Sequence, residues 1–465
     1  MFLAHLRRIY LRVMTTAEFT TKVLSCDPST ITFLPSSDVP QFTDENTLQV
    51  LQSAAHHLVN LTHPVVFPTE TVYGLGALAL DPSAAAKIFS TKGRPPDNPL
   101  IVHVSSLNML RSLLPSGYDI PMSYNVLIQH FWPGPLTLLF PRNPDVVPTI
   151  ITANQPTVAI RIPSHPVARA LIAVADAPLA APSANTSGKP SPTKAEHVYQ
   201  DLKGKVSLIL DGGSCAVGLE STVVDGLHED GHIRVLRPGG ITVEDIERVL
   251  RLHIHDIANI PKVLVHNRDY ADDKLEAAPT TPGMKYRHYS PSVPVMLLLT
   301  RPSLSGVEPA TGFSDYVHSL KKSSGYGKLM IGVLAATDSK LWEALDSIKN
   351  ISWSRYPLGP LAEPNVIAHN LFDGLLSLEK GGVELIFIEE IDEVREGHAI
   401  MNRVRKAASE SIRIELDKYG FIYISSIIFP SCSPPGWRAN CSIIILKMYV
   451  QIDHCFDATD NQKVS

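Results

Sequence analysis

The chain is poor in cysteine. Only Cys26, Cys215, Cys432, Cys441 and Cys455 occur in 465 residues, with no CxxC pair. That scatter excludes a disulfide framework or a structural zinc site as the basis of the fold, and it points to a reducing compartment. Long apolar runs are missing too. The longest, 421–429 and 443–450, are separated by Pro434-Pro435-Gly436 and fall well short of the roughly twenty residues that span a bilayer, so no membrane partner is expected. Basic charge is not in excess. A formal net charge of -5 excludes a chain that coats nucleic acid through bulk charge, while leaving room for a local basic patch or a phosphate-bearing ligand. Several catalytic signatures are absent as well. The nearest approach to a P-loop, Gly213-x-x-x-x-Gly218, runs into Leu219-Glu220 where Lys-Ser/Thr is required. There is no HExxH, no paired-carboxylate signal and no Ser-His-Asp order, which leaves hydrolytic nucleophile chemistry without support.

What is present describes a globular protein with ample core: 44% of residues are hydrophobic and 19% charged. The length suggests two or three domains. At the N-terminus Arg7, Arg8 and Arg12 alternate with apolar residues, and the first acid is Glu18. This arm, 1–43, reads either as a mitochondrial presequence or as a plain tail. Its second half, 25–41, is rich in Pro, Ser and Thr and reads as an irregular lead-in.

From 44 to 255 strands alternate with helices, the pattern of an α/β domain. The apolar run Val65-Val66-Phe67 stops at Pro68 and enters Thr69-Glu70-Thr71-Val72-Tyr73-Gly74. A buried strand running into small polar residues and glycine commonly forms one wall of a ligand pocket. A helix over 84–90 then delivers Lys92 and Arg94, and strands are expected at 100–104, 136–140, 157–162, 179–181, 206–210, 221–224 and 233–236. Helices are expected at 44–60, 125–131 and 166–175. The stretch 256–293 reads as a linker, 294–416 as a second, smaller α/β domain, and 417–465 as an atypical tail, disordered or foreign to the folded unit.

Single residues leave alternatives open. Lys92 and Arg94 suit phosphate oxygens but also suit a solvated surface pair. Asn98 and His103 flank a strand and, taken alone, are more often structural than ligand contacts. Arg161 lies in the apolar run Val158-Ala159-Ile160-Arg161-Ile162 and needs an anionic partner, because an unpaired buried charge is very costly. A ligand carboxylate is preferred over an internal acid there. Ser183, Asn185, Ser187 and Ser191 suit phosphate or ribose hydroxyls, or the backbone of their own turn.

Six motifs in one order change the picture. Pro68-Thr69-Glu70-Thr71-Val72-Tyr73-Gly74-Leu75-Gly76, the Lys92-x-Arg94-Pro95 to Asn98-Pro99-Leu100 stretch, Phe131-Trp132-Pro133-Gly134-Pro135-Leu136-Thr137, Pro182-Ser183-Ala184-Asn185, Glu220-Ser221-Thr222-Val223-Val224-Asp225 and Leu236-Arg237-Pro238-Gly239 resemble those of the threonylcarbamoyl-AMP synthases. The linker Pro282-Gly283-Met284-Lys285-Tyr286-Arg287-His288-Tyr289-Ser290-Pro291 and the ending Asn402-Arg403-Val404-Arg405-Lys406 resemble the long, two-domain form. The resemblance implies a YrdC-like twisted open sheet with helices, plus a Rossmann-like C-terminal domain. It implies a nucleotidyltransferase that makes threonylcarbamoyl-AMP and pyrophosphate from ATP, L-threonine and bicarbonate, with Mg²⁺ accompanying ATP. The product would feed tRNA modification beside the anticodon through a threonylcarbamoyl-transfer machinery, in the cytoplasm with a mitochondrial pool in question.

By motif position Arg94, Asn98, Thr157, Ser183, Ser191 and Arg237 would contact ATP, and Thr71, His103, Arg161 and Ser221 would hold threonine. Lys92 and Arg94 would stabilise developing charge, with no covalent nucleophile and no metal held by protein ligands. Ala181 stands where some relatives have a hydroxyl, and Tyr286/His288 would close over the pocket. Two other readings stand beside this one: a carbamoyl-transfer relative, disfavoured by the lack of CxxC pairs, and a module that binds double-stranded RNA without threonine-dependent chemistry.

Overall fold

The computed structural model describes residues 19–34, 37–256, 260–272, 280, 288–301, 310–324, 329–349 and 351–416. The chain divides into two units, 1–418 and 419–465; the second, with the start of the arm and the linker stretch 281–287 that includes Tyr286, lies outside the described residues.

Strands are numbered along the chain. β1 (Lys22–Ser25), β2 (Ile31–Phe33) and β3 (Pro40–Phe42) are followed by β4 (Val65–Phe67), β5 (Gly74–Leu78), β6 (Ile101–His103), β7 (Leu136–Pro141) and β8 (Thr157–Arg161). Then come β9 (Leu179–Ala180), β10 (Leu208–Asp211), β11 (Thr222–Asp225), β12 (Ile233–Arg237) and β13 (Val263–Val265). Eleven of these form one mixed sheet in the order β1-β10-β4-β5-β9-β6-β8-β7-β11-β12-β13, while β2 and β3 pair with each other. Two expectations are corrected here. The lead-in is not irregular throughout, since β2 and β3 pair antiparallel within it, and just ahead of it β1 extends the sheet beside β10 in parallel. The sheet also continues past the expected domain end, because β13, inside the stretch read as linker, runs parallel to β12.

Helices cover both faces. Glu45–Val59 starts where Asp44 accepts the N–H of Thr47, the side-chain cap expected of aspartate. It buries Leu51, Ala54, Ala55 and Leu58 at helical spacing against Pro166–Ala175. Pro82–Lys92 ends at Gly93, whose φ of 61° is the left-handed C-cap that glycine adopts without a Cβ penalty. That reversal turns Arg94 back toward the sheet.

The second sheet is parallel throughout. β14 (Val295–Leu299), β15 (Thr311–Gly312), β16 (Met330–Ala335), β17 (Ser352–Pro357), β18 (Leu385–Glu389) and β19 (Glu410–Glu415) stand in the order β15-β19-β14-β18-β16-β17. Helices Pro364–Lys380 and Glu396–Ala407 pack on one of its faces. The core beneath them also takes in Val72, Leu219 and Tyr289, so loops belonging to the first sheet are anchored in the second domain. Among the described residues no helix is long and apolar enough to cross a membrane.

Candidate active site

Several strands of the large sheet end at one place. Parallel neighbours β6 and β8 put His103 and Arg161 directly opposite each other at their C-terminal ends. The turn between β4 and β5 supplies Thr69 and Thr71; the loop after β9 supplies Ala181 and Ser183; Glu220-Ser221 precede β11, and Arg237 closes β12. Carboxyl ends of strands are where open α/β sheets bind ligands. These residues, with Val72, Gly74, Arg94, Ile101, Pro182, His288 and Tyr289, line a cavity of about 40 Å³.

One side is a hydroxyl–guanidinium chain. Arg161, only 3% exposed, meets the Glu70 carboxylate at 2.6 Å, donates to Thr71 Oγ1 at 2.9 Å and to Gly134 O at 3.3 Å. Thr69 Oγ1 lies 2.8 Å from Thr71 Oγ1 and accepts the N–H groups of Thr71 and Val72, which fixes the turn. The structure thus answers Arg161 with an internal acid rather than leaving the guanidinium to a ligand, because Glu70 sits on the facing turn. Both Arg161 and Thr71 still border the cavity. His103 is buried with Nδ1 3.2 Å from Ile101 O. Burial, reinforced by the Arg161 charge, holds its pKa down to about 3, so the imidazole is neutral at physiological pH.

The other side is cationic. Arg94 is buried and donates to Asn98 O at 3.2 Å and Pro99 O at 2.8 Å; burial and the Arg237 charge lower its pKa to about 9. Arg237 donates to Ser221 O at 2.8 Å and Ser221 Oγ at 3.2 Å, and Ser221 Oγ also lies 2.7 Å from Thr137 Oγ1. Gly239 lets this loop lie against its neighbour: a Cβ there would come within 2.3 Å of Glu220 O and 2.4 Å of the Ser221 carbonyl carbon. The linker caps the cavity through His288, lowered to about 3 by burial, and Tyr289, raised to about 12 by burial and the Glu220 charge.

The expected residues do not all converge. Thr71, His103, Arg161, Ser221, Arg94, Ser183 and Arg237 line the cavity; Lys92, Asn98, Ser191 and Thr157 do not. Lys92 is buried behind the wall, donating to Ser183 O at 2.5 Å and Asn185 O at 2.6 Å. It braces the 183–185 loop from within, while burial and Arg94 pull its pKa well below the usual lysine value. Ser191 Oγ donates to Glu220 Oε1 at 2.5 Å. Asn98 serves Arg94 through its backbone carbonyl. Thr157 begins β8, four residues before Arg161 at its end, which is roughly 13 Å of strand.

Glu70, Glu220, Tyr289 and Arg403 stand inside the motifs, but sequence reasoning assigns them no role. Arg403 has a readable signal, since Ala399, Ile400, Arg403, Val404 and Ala407 recur at helical spacing and place an arginine on an apolar face.

A family model described as "Telomere recombination" matches residues 59–239, and one described as "Threonylcarbamoyl-AMP synthase, C-terminal domain" matches residues 241–409. A threonylcarbamoyl-AMP synthase of Schizosaccharomyces pombe is 43% identical over 420 residues, covering 84% of this chain and 98% of that protein. One of Bacillus subtilis is 39% identical over 371 residues, covering 80% and 96%. Among solved structures, P. abyssi Sua5 complexed with L-threonine aligns with a TM-score of 0.65 at 35% identity, covering 85% of this chain and all (100%) of that one. With both its parts matched in order and nearly the whole length of such relatives covered, the chain belongs to the threonylcarbamoyl-AMP synthase family.

Proposed function

We propose that this protein is an L-threonylcarbamoyladenylate synthase, joining L-threonine, bicarbonate and ATP into threonylcarbamoyl-AMP and pyrophosphate. The observation that carries the reading is that one cavity brings together a hydroxyl-rich side whose arginine is paired with Glu70 (Thr71, His103, Arg161, Ser221) and a side with two arginines (Arg94, Ser183, Arg237). The first suits an amino acid, with Arg161 sharing its charge between Glu70 and the substrate carboxylate. The second suits a nucleotide's phosphates.

The threonine amine condenses with bicarbonate, losing water, to give a carbamate. A carbamate oxygen attacks the α-phosphorus, the bond from the α-phosphorus to its bridging oxygen breaks, and pyrophosphate leaves with that electron pair. No side chain forms a covalent bond. Arg94 and Arg237 neutralise charge on the phosphates, Lys92 supports from behind by holding the Ser183 carbonyl, and alignment does the rest. Neutral His103 cannot repel the incoming amine as an imidazolium would. His288 and Tyr289, which line the cavity, keep water from a hydrolysable mixed anhydride.

Mg²⁺ would come with ATP. The protein's donors do not fit a metal site of their own, because the acid lining the cavity, Glu220, is bound to an arginine, and no group of three or more His/Cys/Asp/Glu able to hold a metal occurs among the described residues. The product passes to the machinery that modifies tRNA beside the anticodon, and cytoplasmic action is the reading that fits this use.

The test is pyrophosphate release with ATP, threonine and bicarbonate, each omitted in turn. Release should need all three, and release that is independent of threonine refutes the assignment. Binding of double-stranded RNA without any such release would favour the RNA-binding alternative.

A further inference from the structure

The carboxylate in the cavity wall is held from the other domain. Glu220 Oε2 accepts the Nε–H of Arg403 at 3.1 Å and lies 3.1 Å from its second terminal nitrogen as an ion pair, while Glu220 Oε1 accepts the Ser191 hydroxyl. Arg403 comes from helix Glu396–Ala407 of the C-terminal domain and is 0% exposed. Its remaining terminal nitrogen donates to Pro238 O, next to Arg237, and to Ala399 O. Its guanidinium carbon lies 5.7 Å from the centre of the Tyr289 ring. One side chain thus touches three pieces of the cavity wall: the loop before β11, the loop after β12 and the linker. Gly218 packs there as well, since a Cβ on it would meet the backbone of His369, in the second domain, at 2.5 Å.

We infer that Arg403 is a positioning residue for the nucleotide half of the site: by engaging Glu220 it keeps that carboxylate off Arg237, so the C-terminal domain supplies part of the working pocket. This rests on the reading of Arg94, Ser183 and Arg237 as nucleotide contacts. The physical case is competition for a cation. Glu220 and Arg237 already act on each other, each favouring the other's charged form. Without Arg403, Glu220 is a buried anion whose charge acts on Arg237, Lys92 and Lys406; of these Arg237 is the one that lines the cavity, and pairing there competes with the ligand. A triphosphate would then have to displace that pairing and meet an uncompensated negative charge in the wall. With Arg403 present the acid is neutralised from behind.

The experiment uses the full chain and four variants: Arg403→Met, Arg403→Lys, Glu220→Gln and the double variant Glu220→Gln/Arg403→Met. Threonine-dependent pyrophosphate release gives KM for ATP and for threonine, and thermal melts report folding. Arg403→Met should raise KM for ATP about tenfold, the equivalent of one charge-assisted hydrogen bond, and leave KM for threonine within about twofold. Arg403→Lys should fall between it and wild type. The double variant should return KM for ATP to within about threefold of wild type, because the competing carboxylate has gone; a purely structural arginine would not be rescued this way. If Arg403→Met fails to fold, the double variant still decides, as it removes both members of the Glu220–Arg403 pair together. A folded double variant with KM for ATP still raised about tenfold overturns the inference, as does a parallel rise in both KM values. Loss of threonine dependence in the wild-type enzyme would instead sink the parent reading, so the two failures are distinguishable.

Discussion

Arg161→Ala tests the division of the cavity most directly, because it does two separable things. Arg161 is 3% exposed and meets Glu70 at 2.6 Å; removing it strands a buried carboxylate, which costs about 3–5 kcal/mol of stability when a buried pair loses one partner. It also removes the cation assigned to the threonine carboxylate. A hydrogen bond to a charged group contributes about 1.5–3 kcal/mol, or roughly 10- to 150-fold in affinity at 1.4 kcal/mol per decade. Adding Glu70→Gln separates the two. The glutamine side chain carries no charge, so the double variant should regain most of the lost stability in a urea melt while KM for threonine, measured by pyrophosphate release, stays raised by that same factor. KM for ATP should change by less than about threefold, since Arg161 donates to Thr71 and Gly134, not to the Arg94 and Arg237 side. Recovery of KM for threonine in the double variant would show that Arg161 only props up the turn, and an equal rise in both KM values would refute the two-sided site.

Arg94→Ala should act in the opposite sense, raising KM for ATP about tenfold or more with KM for threonine little changed; steady-state titration of each substrate checks this. Gly239→Ala forces a Cβ to within 2.3 Å of Glu220 O, so a loss of about 1–3 kcal/mol is expected in chemical denaturation, together with weaker use of both substrates because Glu220-Ser221 must shift. His103 and His288 are each held down to about 3, below the unfolded value near 6.5. The unfolded chain therefore binds more protons between those limits, and stability is lost as pH falls below about 6.5, by up to about 1.4 kcal/mol per pH unit for each histidine. His103→Asn should flatten the pH dependence of stability between pH 6 and 4 by about one such increment; an unchanged slope would mean that His103 is protonated in the fold.

Elements with continuous apolar runs or clean helical spacing were legible in the sequence, and those at edges were not. β4, β6, β8 and β14 are buried on both faces and read directly as strands. β17, Ser-Trp-Ser-Arg-Tyr-Pro, is an edge strand paired on one side only, and none of its residues is buried, so no alternation announces it. β19, Glu-Ser-Ile-Arg-Ile-Glu, alternates, but with charge at both ends. It is recognisable as a strand only once β14 and β15 flank it. β1 and β13 became strands because a long-range neighbour, β10 or β12, offered an unpaired edge. That is information the local sequence does not hold.

The site shows the same limit in its electrostatics. Charge inside an apolar run says that a partner exists, as it did for Arg161, yet it cannot say which. Glu70 is 91 positions away in sequence from Arg161 and faces it because β4 and β8 end on the same rim of the sheet. For Glu220 the partner Arg403 lies 183 positions along, in another domain. Both glutamates sit inside motif segments dominated by hydroxyls, where each looks like one more polar turn residue. Each is instead the counter-charge that lets a buried arginine exist beside the cavity, and the two pairs have different consequences. Glu70 shares Arg161 with the substrate side, so neutralising Glu70 leaves that arginine's work undone when it is deleted. Glu220 is itself the hazard that Arg403 contains, so neutralising Glu220 makes Arg403 dispensable for ATP use. The same Glu→Gln substitution should therefore fail to restore substrate binding at one pair and restore it at the other.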